Sequence, residues 1–419
     1  MIFGAIADDL TGAVEMAGML AAGGASVALV TRSGAVPEAA KRDAVVVALR
    51  SRVAPATEAV AGFEAAGRRL IQHGARQLFF KYCATFDSTP AGNIGSCTDA
   101  LDRLTGETGA LFCPTFPEPE RTVYRGHHFV GDQLLSDSPK RHDPLTPMRE
   151  SDLVKVLQPQ TEIPVGLIRL QTVLAGPAAI LAAWEALRAA GSRYAIVDAL
   201  THDDLDAIAR ATVDQPLMTG GSSLAGHYPA LWREKGWIRP SNGAARSFAS
   251  GPAVVLAGSC ADRTREQIEH FEQNHPVLRI DITAADPEQL SGRAAAWVLA
   301  QEGQPVCVTT AGDPATVAAV QERFGRDAAA RRAEAVLGGL ARDLVERGYR
   351  RVIVAGGETS GAVVDALGID ELDVAPFGQL GVGICAASRP VPLALCLKSG
   401  KLGAADLFRS VLAEMDGRA

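Results

Sequence analysis

Short, nearly continuous apolar runs recur along this chain between longer Ala- and Leu-rich amphipathic stretches, and this alternation limits the fold more than any other feature. In the first half the runs are Ile2 to Ala7, Val27 to Thr31, Ala44 to Leu49 and Gln77 to Lys81; in the second they are Val254 to Ala257, Val306 to Thr310, Val352 to Ala355 and Pro392 to Leu397. Runs that stay apolar at successive positions suit strands covered on both faces, as parallel strands are, and their alternation with helical stretches predicts βαβ units. A length of 419 residues exceeds what one core normally serves, so two domains are expected. The Pro-, Ser- and Gly-rich stretch Ile238 to Pro252 (IRPSNGAARSFASGP) is the best linker. The prediction is an α/β protein of two domains, each a mostly parallel sheet with helices on both faces. Residues 1–240 form the first, 241–252 the linker and 253–419 the second, with the active site in the cleft between them. A second irregular zone, Cys113 to Met148, is rich in Pro, His, Arg and Asp; it is either a long surface loop or the lining of a polar site.

Charge excludes several partners. The formal net charge is -7, and no cluster of Lys and Arg is visible beyond pairs such as Arg331-Arg332 and Arg350-Arg351, so no nucleic-acid partner is expected. Asp8 and Asp9 interrupt the first apolar stretch and no basic segment precedes it, so neither a signal peptide nor a membrane span is expected there. Seven scattered cysteines with no C-x-x-C pattern fit a reduced, cytoplasmic protein.

Common nucleotide and hydrolase signatures are missing. There is no G-x-x-x-x-G-K-[ST], no G-x-S-x-G and no H-E-x-x-H. Gly381 to Ala386 satisfies G-x-G-x-x-A, but it follows Pro376-Phe377-Gly378 instead of a strand, and Arg389-Pro390 leaves no room for a crossover helix. It is therefore rejected as a dinucleotide fingerprint.

What remains are polar, Gly-containing segments where strands are predicted to end, which is where open α/β sheets bind ligands. In Ala7-Asp8-Asp9-Leu10-Thr11-Gly12, adjacent carboxylates can accept hydrogen bonds from substrate hydroxyls or serve as a base; alternatively Asp9 or Thr11 simply caps a helix. Lys81 closes the run QLFFK, and only seven of the 41 basic residues are Lys, so it reads as a cation for a carboxylate or phosphate. Asp87, Ser88 and Thr89 can bind hydroxyls and Gly92-Asn93 allows close backbone approach, or the whole segment is a capping loop. Beyond the linker, Gly258-Ser259, Gly356 to Gly361 and Lys398-Ser399-Gly400-Lys401 can offer N–H groups and hydroxyls to phosphates; alternatively Gly258-Ser259 is an ordinary strand-to-helix turn and Lys398 to Lys401 a capping loop with solvated lysines. IADDLTGAVEMA and VAGGETSGAVVDAL echo each other, each predicting a strand, a turn in which Thr or Ser caps, and a helix start suited to an anion. His127, His128 and His142, with Arg121, Arg125 and Arg141, could help bind an acidic substrate, but carry little weight alone.

Taken together, IADDLTGA, KYCATFDSTPAGNIG, CPTFPEPERTVYRGHHFV, GGSSLA, GGETSGAV and KSGKLG resemble the four-carbon acid sugar kinases over nearly the whole chain, and KYCATFDSTPAGNIG resembles the 3-oxo-tetronate 4-kinase branch. The resemblance implies a sugar-acid-binding N-terminal domain, an ATP-binding C-terminal domain, Mg²⁺, and transfer of the γ-phosphoryl group to a terminal hydroxyl. By motif it places nucleotide contacts at Ser259, Gly357, Glu358, Thr359, Ser360 and Gly400, and sugar-acid contacts at Asp8, Asp9, Lys81, Asp87, Ser88 and Asn93. Phosphoryl transfer asks a protein mainly to position two partners and neutralise charge. On that basis the substrate carboxylate is expected near Lys81 or the Thr11-Gly12 helix start, with Asp8 or Asp9 orienting the attacking hydroxyl. The metal ligands stay unassigned and a homodimer stays open. D-threonate and D-erythronate are the rival substrates, and a non-catalytic sugar-acid and nucleotide sensor is the rival function.

Overall fold

The computed structural model describes residues 1–143, 145–239, 248–312, 314–376, 382–388 and 390–417. The chain divides into two compact units, Met1–Gly243 and Ala244–Ala419. Much of the expected linker, residues 241–247, lies outside the described residues.

The first unit is built on β1 (Phe3–Ala7), β2 (Val27–Val30), β3 (Ala44–Ala48), β4 (Gln77–Lys81) and β5 (Ala110–Cys113). A small antiparallel sheet of β6 (Arg121–Tyr124), β7 (His127–Val130) and β8 (Gln133–Leu134) follows, and β9 (Val165–Ile168), β10 (Tyr194–Val197) and β11 (Leu217–Gly220) complete the set. The large sheet runs β2-β3-β1-β4-β11-β5-β10-β9, parallel throughout. From β1 the chain goes outward to β2 and β3 on one side, then crosses to β4 on the other. Strand order therefore reverses at β1, and the strand ends there leave a crevice.

Both faces of this sheet are buried, as the continuous apolar runs require. Phe63 and Leu70 of the helix Ala56–Gln72 cluster with Ile6, Val45, Val47, Leu78 and Phe80. The alternate residues Phe3 and Phe79 point the other way and pack on Tyr228 and Trp232, with ring centroids 5.1 to 6.2 Å apart. Each such fully buried side chain contributes roughly 1.5–3 kcal/mol over leaving it exposed.

The irregular zone Cys113 to Met148 is not a structureless loop. Its β6–β7 hairpin turns through Arg125 (φ +51°) and Gly126 (φ +76°), the left-handed pair that a tight two-residue hairpin turn demands. The Asp198 carboxylate, just past β10, accepts both of their N–H groups at 2.8 Å. Val123 also bridges to Ala199, so the small sheet is pinned beside the C-terminal end of β10.

The second unit contains β12 (Ala253–Ala257), β13 (Val277–Arg279), β14 (Val306–Thr309), β15 (Arg351–Ala355), β16 (Glu371–Ala375), β17 (Val382–Ala387) and β18 (Leu393–Lys398). Their order is β13-β14-β12-β15-β18-β17-β16; the first five are parallel, and β17 is antiparallel to both neighbours. Gly383 to Ala386 of the rejected glycine pattern lie inside β17, and Gly381 lies outside the described residues. On one face Val255, Ile353 and Cys396 pack with Ile268 and Phe271 of the helix Asp262–Glu272 and with Phe408 and Leu412 of the helix Leu407–Met415. Order reverses at β12, whose C-terminal end meets those of β14 and β15.

Asp102 shows how polar groups are accommodated in the core of the first unit. It is fully buried in the helix Ile94–Leu104, accepting from Gly109 N at 2.8 Å and Arg193 Nε at 2.8 Å, and so joins the entries to β5 and β10. Asp102→Ala leaves a buried N–H without an acceptor and is expected to cost about 2–3 kcal/mol. A urea midpoint corresponding to less than about 1 kcal/mol would show that water replaces the carboxylate freely.

Candidate functional site

In the first unit β1, β3 and β4 deliver charge to one place because they are adjacent and in register. Asp8 follows β1, Arg52 follows β3 and Lys81 ends β4. Arg52 donates to Asp8 from Nε and Nη2, at 2.8 and 2.9 Å, and its Nη2 lies 2.9 Å from Asp9 Oδ1. Lys81 Nζ lies 3.8 Å from that same Asp9 oxygen. The Asp9 side chain also caps the helix Leu10–Ala22 by accepting Gly12 N–H at 2.8 Å. The cap is thus Asp9; Thr11, the hydroxyl that the sequence echo offered as a cap, sits half-buried in the first helical turn. A Cβ on Gly12 would fall on the Lys81 ammonium, so glycine is required for the cation to reach this position.

Opposed charge makes burial of these groups tolerable. Burial pushes the Asp9 carboxyl upward, but Arg52, Lys81 and the Gly12 N–H outweigh it and leave it below the ordinary carboxylate range. Burial likewise opposes the Lys81 ammonium, and Asp9 and Asp8 restore it to above its usual value. Glu15, one turn into the same helix, is pushed up by burial in spite of Lys81, and it accepts the Ser222 hydroxyl at 2.6 Å.

A second group of charges lies on the segment after β4. Asp87 accepts from Thr85 Oγ1 at 2.6 Å and from Lys140 Nζ at 2.7 Å. Burial raises its carboxyl, and Lys140 and Thr85 bring it to a net value below normal. Phe86, directly before it, takes a left-handed φ of +51° with its ring buried against Tyr82, so packing holds a strained backbone in place. The Cys83 thiol, raised first by burial and then by Asp87, also feels Arg52, Lys140 and Lys81, which ties the two charge groups into one electrostatic neighbourhood. Arg121 acts on it too, from the small sheet. Burial lowers the Arg121 guanidinium, which makes no ion pair among the described residues.

Ser88 and Asn93 are occupied in building this loop. Ser88 Oγ accepts Gln160 Nε2 at 2.9 Å over Gly92, where a Cβ would strike it. Asn93 Nδ2 donates to Ser51 O at 2.7 Å and Ala54 O at 3.1 Å, holding the turn that carries Arg52. Sequence reasoning missed Arg52, Lys140, Glu15 and Ser222. A usable signal existed for Arg52, a basic residue just past a predicted central strand, and for Ser222, which lies within the GGSSLA motif.

The second unit offers an anion a different surface. Gly356 (φ +130°) is the N-cap of the helix Gly357–Ala366 and provides no side chain, so Thr or Ser does not cap here either. Instead Ser360 Oγ donates back to Gly356 O at 2.7 Å, while Glu358 is exposed. The first N–H groups of this helix therefore have no capping side chain, an arrangement that favours an anion. Three turns crowd together around it. A Cβ on Gly258 would strike Thr359 Oγ1, and one on Gly400 would strike Ser259 Oγ. Ser259, Gly357, Thr359, Ser360 and Gly400 are thus brought into one cluster.

Beside that cluster lies a cavity of about 640 Å³, lined at one end by Gly258 and Cys260 and elsewhere by Ile268, Ile282, Thr310 and Val320. The Thr310 hydroxyl is buried with no hydrogen-bond partner among the described residues. Arg265, Glu269, Arg279, Asp281 and Arg326 also line it, so the cavity offers a flat heterocycle both apolar contact and polar partners. Among the described residues no three His, Cys, Asp or Glu side chains gather to hold a metal, and no helix is long and apolar enough to cross a membrane.

Comparisons with known proteins agree with this division. Residues 3–228 match a family model described as a sugar-binding N-terminal domain, and residues 254–408 one described as a nucleotide-binding C-terminal domain. The 3-oxo-tetronate kinase of Pseudomonas fluorescens is 43% identical over 420 residues, covering 99% of this chain and 97% of that protein. That of Burkholderia multivorans is 43% identical, covering 100% and 98%. A crystal structure from Salmonella typhimurium, bearing the name of a tRNA synthase, superposes with a TM-score of 0.89 at 37% identity over 97% of this chain and 98% of its own.

Gly12→Ala tests the packing of the first cluster. The added methyl must displace Lys81, so the variant is expected to lose at least about tenfold in affinity for its acidic ligand, with a melting temperature lower by several degrees. Isothermal titration that finds unchanged affinity would show that Lys81 is not part of the binding surface.

Proposed function

Since the chain belongs to the four-carbon acid sugar kinase family, we propose that it transfers the γ-phosphoryl group of ATP to the terminal hydroxyl of a four-carbon sugar acid, with 3-oxo-tetronate converted to its 4-phosphate. One observation carries the chemical part of this reading: cations and carboxylates alternate at the ends of β1, β3 and β4, Asp8 and Lys81 buried and Arg52 and Asp9 partly exposed. A small polyhydroxy acid needs both kinds of partner, cations for its carboxylate and ionised carboxylates as acceptors for its hydroxyls. Full-length identity to two 3-oxo-tetronate kinases supports the choice of acid.

Asp9 is the better-placed of the two candidate catalytic carboxylates. Its side chain keeps 31% exposure, whereas that of Asp8 keeps 6% and both its oxygens are engaged by Arg52. We assign Asp9 to orienting the attacking hydroxyl and Asp8 to holding Arg52. A carboxylate this acidic is a weak base, which suits a loose phosphoryl-transfer transition state that asks for little early proton removal. The substrate carboxylate is assigned to Lys81 and to Arg121, a half-buried guanidinium that donates to Pro119 O and makes no ion pair among the described residues.

In the second unit the phosphates are assigned to Ser259, Gly357 to Ser360 and Gly400, and the adenine to the adjoining cavity. Mg²⁺ enters as the counter-ion of the nucleotide's own phosphates, which calls for at most one or two protein oxygens; none is assigned here. Donor and acceptor must meet for in-line transfer, so a shared active site is a requirement of the proposal. The seven unpaired cysteines suit a cytoplasmic setting.

Three measurements test these assignments. Asp9→Asn is expected to lower kcat at least about 100-fold with ATP affinity unchanged. Near-normal turnover would remove Asp9 from the mechanism, and faster turnover of D-threonate or D-erythronate than of the 3-oxo acid would replace the substrate. Ser360→Ala should raise KM for ATP several-fold while leaving KM for the sugar acid alone; the reverse order would exchange the roles of the two units.

A further inference from the structure

Lys398 ends β18 with its side chain fully buried, on the same face of the sheet as Cys396. Its ammonium meets neutral oxygen only, donating to Gln267 Oε1 at 2.6 Å and to Thr264 Oγ1 at 3.1 Å. No carboxylate pairs with it among the described residues. An ammonium buried without a counter-ion is costly, and an apolar side chain would serve the core better.

Its connections lead to two of the three turns assigned to the nucleotide. The Thr264 hydroxyl in turn donates to Gly400 O at 2.8 Å. Gln267 Nε2 donates to Leu402 O at 3.2 Å and Ala404 O at 2.9 Å. The Lys398 carbonyl accepts Gly356 N–H at 3.0 Å, directly before the uncapped helix. One residue thus links the turn after β15, the start of the helix Asp262–Glu272 and the loop after β18.

We propose that Lys398 is the positioning residue of the nucleotide site, holding the Gly356 and Gly400 turns together while its uncompensated charge is neutralised by the bound polyphosphate. The inference rests on the nucleotide reading of this unit. Its register neighbours on β15 and β17, Ala355 and Val382, carry no charge. The groups that act on it are Cys396 on its own strand and Arg263 on the packed helix. Burial pulls the amine down to about 8, against Cys396 and with the help of Arg263. At pH 8 the free protein therefore holds it partly neutral. A nearby polyanion favours the ammonium, so nucleotide binding takes up a fraction of a proton, and affinity falls as pH rises through about 7.5 to 9.5.

Calorimetric titration of the full chain with ADP at pH 8, in Tris and in HEPES buffer, reads this directly. The wild type should show a buffer-dependent enthalpy equivalent to roughly half a proton taken up. Lys398→Met should abolish that uptake and weaken ADP about tenfold or more, with KM for the sugar acid within about twofold of normal. Lys398→Arg, charged at every pH, should retain more affinity than the Met variant and take up no proton. Should the Met variant fail to fold, proton uptake in the wild type and its absence in the Arg variant decide the matter. Wild type that binds ADP without proton uptake, or a folded Met variant within about twofold of its affinity, overturns the inference alone. Wild type that binds no ADP overturns the nucleotide reading as well.

Discussion

The pairing of Arg52 with Asp8 and Asp9 is the interaction on which the rest of the N-terminal site depends. Each group alone would be expelled from the end of a sheet buried on both faces; together they can stay. Once Arg52 is in place, Asp9 can stay ionised, cap its helix and draw Lys81 over Gly12. Asn93 then acts by way of the loop, since its amide holds the turn that presents Arg52. Glu15, pushed towards its neutral form by burial and bound by Ser222, also feels the Lys81 ammonium. The result is a rigid set of charges prepared before any ligand arrives, the kind of preorganisation that phosphoryl transfer rewards.

The C-terminal unit uses a different economy of charge. Among the described residues its cluster contains no comparable ion pair; the turns are brought together by hydroxyls fitted against glycines and by uncapped N–H groups. The two sequence echoes therefore diverge in physics. IADDLTGA places a carboxylate at its helix start, which leaves that helix dipole satisfied, whereas VAGGETSG places a bare glycine there, which leaves the dipole free for an anion. A site whose first helix start already holds Asp9 suits the hydroxyls of an acceptor, and one whose helix start is open suits phosphate.

Much of the architecture was legible in the chain. The apolar runs at Phe3–Ala7, Gln77–Lys81 and Ala253–Ala257 became central parallel strands because continuous apolar character has one common use, burial on both faces. Strands such as β9 (VGLI), β11 (LMTG) and β13 (VLR) were not legible, being three or four residues long and weakened by Gly, Thr or Arg. The zone after Cys113 read as irregular because its hairpin rests on left-handed residues at Arg125 and Gly126, and Asp198, far along the chain, stabilises that turn.

Sequence alone determined the class of fold, the order of motifs that marks the family, and the positions of Asp8, Asp9, Lys81, Ser259, Gly357 and Gly400 at strand ends. Only the tertiary structure decided that Asp9 and not Asp8 keeps a partly exposed carboxylate, that Arg52 and Lys140 join the candidate site, and that Lys398 is buried without a counter-ion among the described residues. The reason is the strand order. Asp8 and Arg52 are 44 residues apart and meet because β3 lies beside β1; no periodicity in a sequence encodes which strands become neighbours. Pairing, burial and the resulting shifts in acidity follow from that choice.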